Sequence, residues 1–92
     1  MNTYYTNKEY GVIEEMDIGS RIKQLRTSDG YMVEEVAEYL GLSVDEYKDI
    51  ESNKRLFDTT VLDAICNLYM VEEEYIINGM HIPDPNRLRL KY

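Results

Sequence analysis

The chain has 92 residues and a formal charge of −8, with ten Lys and Arg against 18 Asp and Glu. That length supports one small hydrophobic core and excludes a large enzyme, because a second independent core would need a domain's length of its own. The single Cys66 excludes an intrachain disulfide and a thiolate zinc cage, no apolar run reaches the roughly 20 residues of a membrane span, and the polar start is no signal peptide, so a soluble cytoplasmic protein is expected.

Residues 1–17 read as a Tyr-rich acidic N-terminal arm, with Lys8 against Glu9, Glu14, Glu15 and Asp17. Tyr4, Tyr5 and Tyr10, helped by Val12 and Ile13, are amphipathic anchors for a protein surface, either a second copy or another partner; plain disorder is the alternative. Ile18, Ile22 and Leu25 recur at i, i+4 and i+7 and predict a first helix that ends at Ser28-Asp29-Gly30. Val33, Val36, Ala37 and Leu40 predict a short second helix, stopped by Gly41. Ser43 and Glu46 form a capping box that starts a third helix, with Tyr47 and Ile50 turned inward. Asp58 caps a fourth, whose Val61, Leu62, Ile65, Cys66 and Tyr69 share a face. Val71, Tyr75 and Ile76 predict a last short helix ending at Asn78-Gly79.

Residues 80–92 read as an extended basic tail: Pro83 and Pro85 precede Arg87, Arg89 and Lys91. Leu88 and Leu90 alternate with its basic residues, as in a strand added to a partner's sheet edge; a frayed tail is the alternative. Five short helices without period-2 alternation make an all-α fold. The three-residue joint Gly41-Leu42-Ser43 is its informative element, because so short a turn sets two helices at a steep angle and projects the later one outward. A projecting helix can enter a groove.

The run Ile18-Gly19-Ser20-Arg21-Ile22-Lys23-Gln24-Leu25-Arg26, then Glu34-Glu35-Val36-Ala37-Glu38-Tyr39-Leu40-Gly41-Leu42-Ser43, continues through Ile50-Glu51-Ser52-Asn53-Lys54-Arg55 to Leu62, Ile65, Val71 and Ile77-Asn78-Gly79. In this ordered spacing across residues 18–79 the sequence resembles the lambda-repressor-like (Xre-type) helix-turn-helix family. The resemblance implies a five-helix DNA-binding domain with short extensions, acting as a repressor-type transcriptional regulator on double-stranded operator DNA, as a homodimer. It implies an ion pair between Arg26 and Glu51 that orients the third helix. It maps base reading onto Val44, Asp45, Tyr47 or Lys48, and Asp49, and phosphate contact onto Arg21, Lys23, Lys54 and Arg55, with Lys48 a further cation. Ala37 is small where the third helix crosses the second.

Two departures stand out. Where relatives open the second helix with a polar cap and usually Gln to hold a phosphate, this chain has Met32 and Val33. Where they present Gln, Ser, Thr, Asn or Arg to bases, it presents Asp45 and Asp49. A carboxylate accepts from cytosine N4 in the major groove but is repelled by flanking phosphates. The alternative is therefore an antitoxin or protein-interaction adaptor on the same scaffold, its arms covering a toxin or regulatory protein.

Catalysis is not expected, because no phosphate-cradling glycine loop and no nucleophile-base pair is present. Cys66 on an apolar face reads as a buried thiol, and His81 as a surface residue. Glu72-Glu73-Glu74 suit the positive end of a helix dipole. No cofactor and no metal site are expected.

Overall fold

Helices this short are marginal in isolation, so their ends and their buried faces must carry the fold. The structure is a computed structural model that describes residues 17–84. It contains α1 (Ile18–Ser28), α2 (Val33–Leu40), α3 (Val44–Glu51), α4 (Thr59–Tyr69) and α5 (Glu73–Asn78). The all-α, five-helix expectation is borne out. The anchors proposed in the two arms, Tyr4, Tyr5, Tyr10, Leu88 and Leu90, lie outside the described residues.

Three helices start on side-chain caps, of which Ser43 and Asp58 were expected and Asp17 was not. Asp17 Oδ1 accepts from the Ser20 amide at 3.0 Å, and Asp58 Oδ1 from the Val61 amide at 3.0 Å. Ser43 Oγ accepts from the Glu46 amide at 3.1 Å while Glu46 Oε1 accepts from the Ser43 amide at 2.9 Å. Each satisfies amides with no partner inside the helix, for about 1 kcal/mol apiece. α2 opens on Met32, and Glu35 Oε1 reaches back to the Met32 amide at 2.7 Å. α5 begins later than Val71 predicted. Met70 takes a left-handed φ of 55° to close α4, and the Val71 amide is spent on the Cys66 carbonyl at 3.1 Å.

All five helices contribute to one core: Ile18, Ile22 and Leu25, Val36 and Ala37, Tyr47 and Ile50, Leu62, Ile65 and Tyr69, and Ile76. The rings of Tyr31 and Tyr69 meet edge to face with centroids 6.1 Å apart. α2 packs most extensively on α3, and α1 lies against both α3 and α5.

Arg21 corrects the sequence reading. It is only 4% exposed, and its Nε and Nη2 donate to the carbonyls of Ile76 and Ile77, each at 2.9 Å. Those carbonyls belong to the last turn of α5, where no intrahelical donor reaches them. The guanidinium fastens α1 to α5 and is withdrawn from phosphate contact.

Gly19 explains how α1 meets α3. A β-carbon there would lie 2.4 Å from the Glu51 carbonyl oxygen and 2.6 Å from that of Ile50. Asn53, at a φ of 64°, ends α3, and its Oδ1 accepts from the Gly19 amide at 2.9 Å. Gly41 does different work: its φ of 73° turns the chain out of α2 into open space.

Gly19→Ala should therefore cost about 3 kcal/mol by overpacking against backbone that cannot swing away. Gly41→Ala should cost only about 1–2 kcal/mol, from the left-handed φ alone. At about 4–8 °C per kcal/mol for a domain of this size, thermal unfolding separates the two, and equal midpoints would contradict the close α1–α3 approach.

Candidate nucleic-acid interface

The turn that presents α3 follows from backbone bonding. The amides of Gly41 and Leu42 donate to the Glu38 and Ala37 carbonyls at 3.1 and 2.9 Å, which closes α2. Ser43 then opens α3 through its capping box. On the inner side of α3, Tyr47 and Ile50 are buried; on the outer side Asp45, Lys48 and Asp49 are exposed. Of the alternatives Tyr47 and Lys48, only Lys48 faces outward. Val44 is half-buried and packs against the core, so it reaches only the margin of the outward edge. Its place in the first turn, beside the inward face, is the reason.

The other end of α3 is held by charge. Arg26 Nε donates to Glu51 Oε2 at 2.6 Å and Nη2 to Glu51 Oε1 at 3.2 Å, while Nη1 donates to the Tyr31 carbonyl at 3.2 Å. The two side chains are 13% and 8% exposed. The Tyr47 hydroxyl donates to the same carboxylate. The Glu51 hydrogen bond raises the Arg26 pKa. Burial first, and the bond to Glu51 second, push the Tyr47 phenol far above its ordinary range. Burial also pushes Tyr69 up to about 12.

Lys54 and Arg55 follow α3 and are exposed. The Lys54 amide donates to the Asp49 carbonyl at 2.8 Å, which fastens this loop to the helix end. Arg55 Nη2 lies 3.6 Å from Glu46 Oε2 with both side chains 43% exposed, a solvent-screened contact of small energy that a phosphate can displace. Lys23 is exposed on α1. The structure thus groups Asp45, Lys48 and Asp49 on one helix edge and sets Lys54 and Arg55 at its end. It leaves Arg21 out.

Sequence reasoning missed Gly19 and Asn53 as elements that seat α3. Asn53 had a signal, since Asn after a helix tolerates the left-handed region; Gly19 had none. A third grouping, Glu72, Glu74 and His81, brings ligand-capable atoms within 4.8 Å of one another, all exposed. His81 Nδ1 and Glu72 Oε1 are 2.8 Å apart. The Cys66 thiol is pushed up to about 11, by burial first and then by the Glu73 carboxylate, and is no thiolate nucleophile. Among the described residues no helix is long and apolar enough to cross a membrane.

Comparison with known proteins agrees with this geometry. A family model described as a helix-turn-helix domain matches residues 19–82. The SPbeta prophage-derived uncharacterized HTH-type transcriptional regulator YonR of Bacillus subtilis (strain 168) is 32% identical over 63 residues, which are 68% of this chain and 58% of that protein. The HTH-type transcriptional regulator ImmR of the same organism is 31% identical over 75 residues, 82% of this chain and 59% of that protein. The chain thus spans under two thirds of either relative. Among solved structures, the N-terminal DNA binding domain of SinR from Bacillus subtilis superposes with a TM-score of 0.62 at 29% identity, covering 70% of this chain and 94% of that one.

Two measurements test the local geometry. Arg26→Ala leaves the Glu51 carboxylate buried without its cation and should cost about 3–5 kcal/mol in urea unfolding; a loss below about 1 kcal/mol, typical of a surface pair, would contradict the burial described. The only imidazole of the chain, His81, should titrate above its ordinary 6.5, raised first by the hydrogen bond to Glu72 and then by that residue's charge. Any stability it confers is therefore complete below the ordinary value and is lost as pH rises through the raised one. In Glu72→Gln the NMR titration midpoint should fall back; an unmoved midpoint would remove Glu72 as the cause.

Proposed function

This chain belongs to the lambda-repressor-like helix-turn-helix family, and from that we propose that it is a small transcriptional regulator of the repressor type that binds operator DNA through α3. The observation that carries the reading is the projecting α3. Its outer edge is clear of the core while its inner face and far end are locked by Tyr47, Ile50 and the Arg26–Glu51 pair. A rod held this rigidly can enter a major groove without paying for its own ordering.

In this mechanism Asp45, Lys48 and Asp49 face the base edges, with Val44 at the margin. Lys54 and Arg55 clamp the backbone, and Lys23 adds a contact from α1. Repression is steric: the bound domain occupies the operator. Two copies would read half-sites about 34–36 Å apart and work in the cytoplasm, where the operator lies. The charge of −8 weakens non-specific binding, so what affinity the chain has must come from a matched site.

A second reading is favoured by one observation, the exposed carboxylates of Asp45 and Asp49 on the presenting edge. On that account the same edge meets a protein, and the chain is an adaptor or an antitoxin.

A labelled duplex from the protein's own promoter should shift at about 50 mM salt, with affinity falling about 0.9 log unit per log unit of salt for each phosphate contacted. Lys54→Ala should weaken all duplexes alike and reduce that slope by about one contact's share. Failure to shift any duplex at that salt overturns the operator reading; a protein that then co-purifies stoichiometrically supports the second.

A further inference from the structure

An open groove of about 570 Å³ runs between the start of α1, the start of α4 and α5, and no residue of α3 lines it. Its floor is apolar, from Ile18, Phe57, Leu62 and Ile77. Asp58, Glu73 and Glu74 make part of its wall acidic. The chain leaving α5 turns back toward that wall. Gly79 takes a φ of 73°, the Met80 amide donates to the Glu74 carbonyl at 3.1 Å, and His81, at a φ of 58°, meets Glu72 Oε1 at 2.8 Å. His81 therefore lies beside the start of α5, next to Glu72 and Glu74.

We propose that this groove is the docking site of residues 85–92 of the same chain. The segment reads Pro85-Asn86-Arg87-Leu88-Arg89-Leu90-Lys91-Tyr92. In an extended conformation alternate residues point to opposite sides, so Leu88, Leu90 and Tyr92 form one edge, to meet the apolar floor. Arg87, Arg89 and Lys91 form the other, to meet the acidic wall. The competing segment is residues 1–16, which precede the groove-lining Ile18 in the chain. Its Glu9, Glu14 and Glu15 outnumber Lys8 and would set like charge against Glu73 and Glu74, so charge selects the tail.

Distance and concentration favour the chain's own tail over a second copy's. Eight extended residues span up to about 26–29 Å, and a short tether holds its segment at an effective concentration of about millimolar. The site is separate from the edge of α3 and does not depend on the operator reading.

The test uses the full chain at low salt in solution NMR. Cross-relaxation is expected between the Leu88 and Leu90 methyls and the Phe57 ring or Ile77 methyls, unchanged on dilution. Glu73→Gln/Glu74→Gln alters two exposed residues and should reduce those cross peaks several-fold. Combining Glu73→Lys/Glu74→Lys with Arg87→Glu/Arg89→Glu should restore them. Absence of the cross peaks in the unaltered chain overturns the proposal. So does their appearance only between differently labelled copies, which assigns the groove to a second molecule, or their origin in Val12 and Ile13, which assigns it to the N-terminal arm.

Discussion

The position of α3 depends on one carboxylate. Glu51 receives two guanidinium hydrogen bonds from Arg26 and one from the Tyr47 hydroxyl, and Arg26 Nη1 donates to the Tyr31 carbonyl. A buried charge with unsatisfied neighbours would weaken the fold, whereas one with its partners supplied specifies a single arrangement. The partners come from α1, from the loop ahead of α2 and from α3 itself, so the node fixes three segments in one step. The projection of Asp45, Lys48 and Asp49 is a consequence of that fixing.

Local signals carried most of the fold. A helical face repeats every 3.6 residues and a cap acts over three, so Ile18, Ile22 and Leu25, or Ser43 with Glu46, declare themselves within a short window. What required coordinates were the meetings of distant segments. Arg21 sits where a surface cation would, and only the Ile76 and Ile77 carbonyls, 55 and 56 residues away, draw it inside. Gly19 gives no hint of its neighbour, because a glycine in a first turn looks the same whether or not another backbone lies against it. Val44 falls between faces, and periodicity alone does not decide how far it turns in. The Arg26–Glu51 pairing was legible only through the family resemblance, since nothing in a pattern of charges names a partner 25 residues on.

The acidic balance reads differently once each carboxylate is followed to its partner. Asp17 and Asp58 cap helices, Glu35 and Glu46 reach back to cap amides, Glu51 meets Arg26 and Glu72 meets His81. Glu73 and Glu74 stand in the first turn of α5, where the aligned peptide dipoles favour negative charge. Four of these carboxylates thus serve backbone amides within the body. The carboxylates with no part in such caps or pairs include Asp45 and Asp49, on the edge where a partner's chemistry is decided. Net charge is a poor guide to that edge, and its local pattern is a better one.

The seat of α3 against α1 uses main-chain oxygens of Ile50 and Glu51 facing Gly19. Peptide oxygens are common to all twenty amino acids, so this mount is indifferent to the side chains displayed on the far side of the same helix. Lineages, or protein engineers, are free to rewrite positions 45, 48 and 49 without refitting the bearing beneath them. The constraint that accompanies that freedom falls on position 19, where any side chain would meet the backbone of α3.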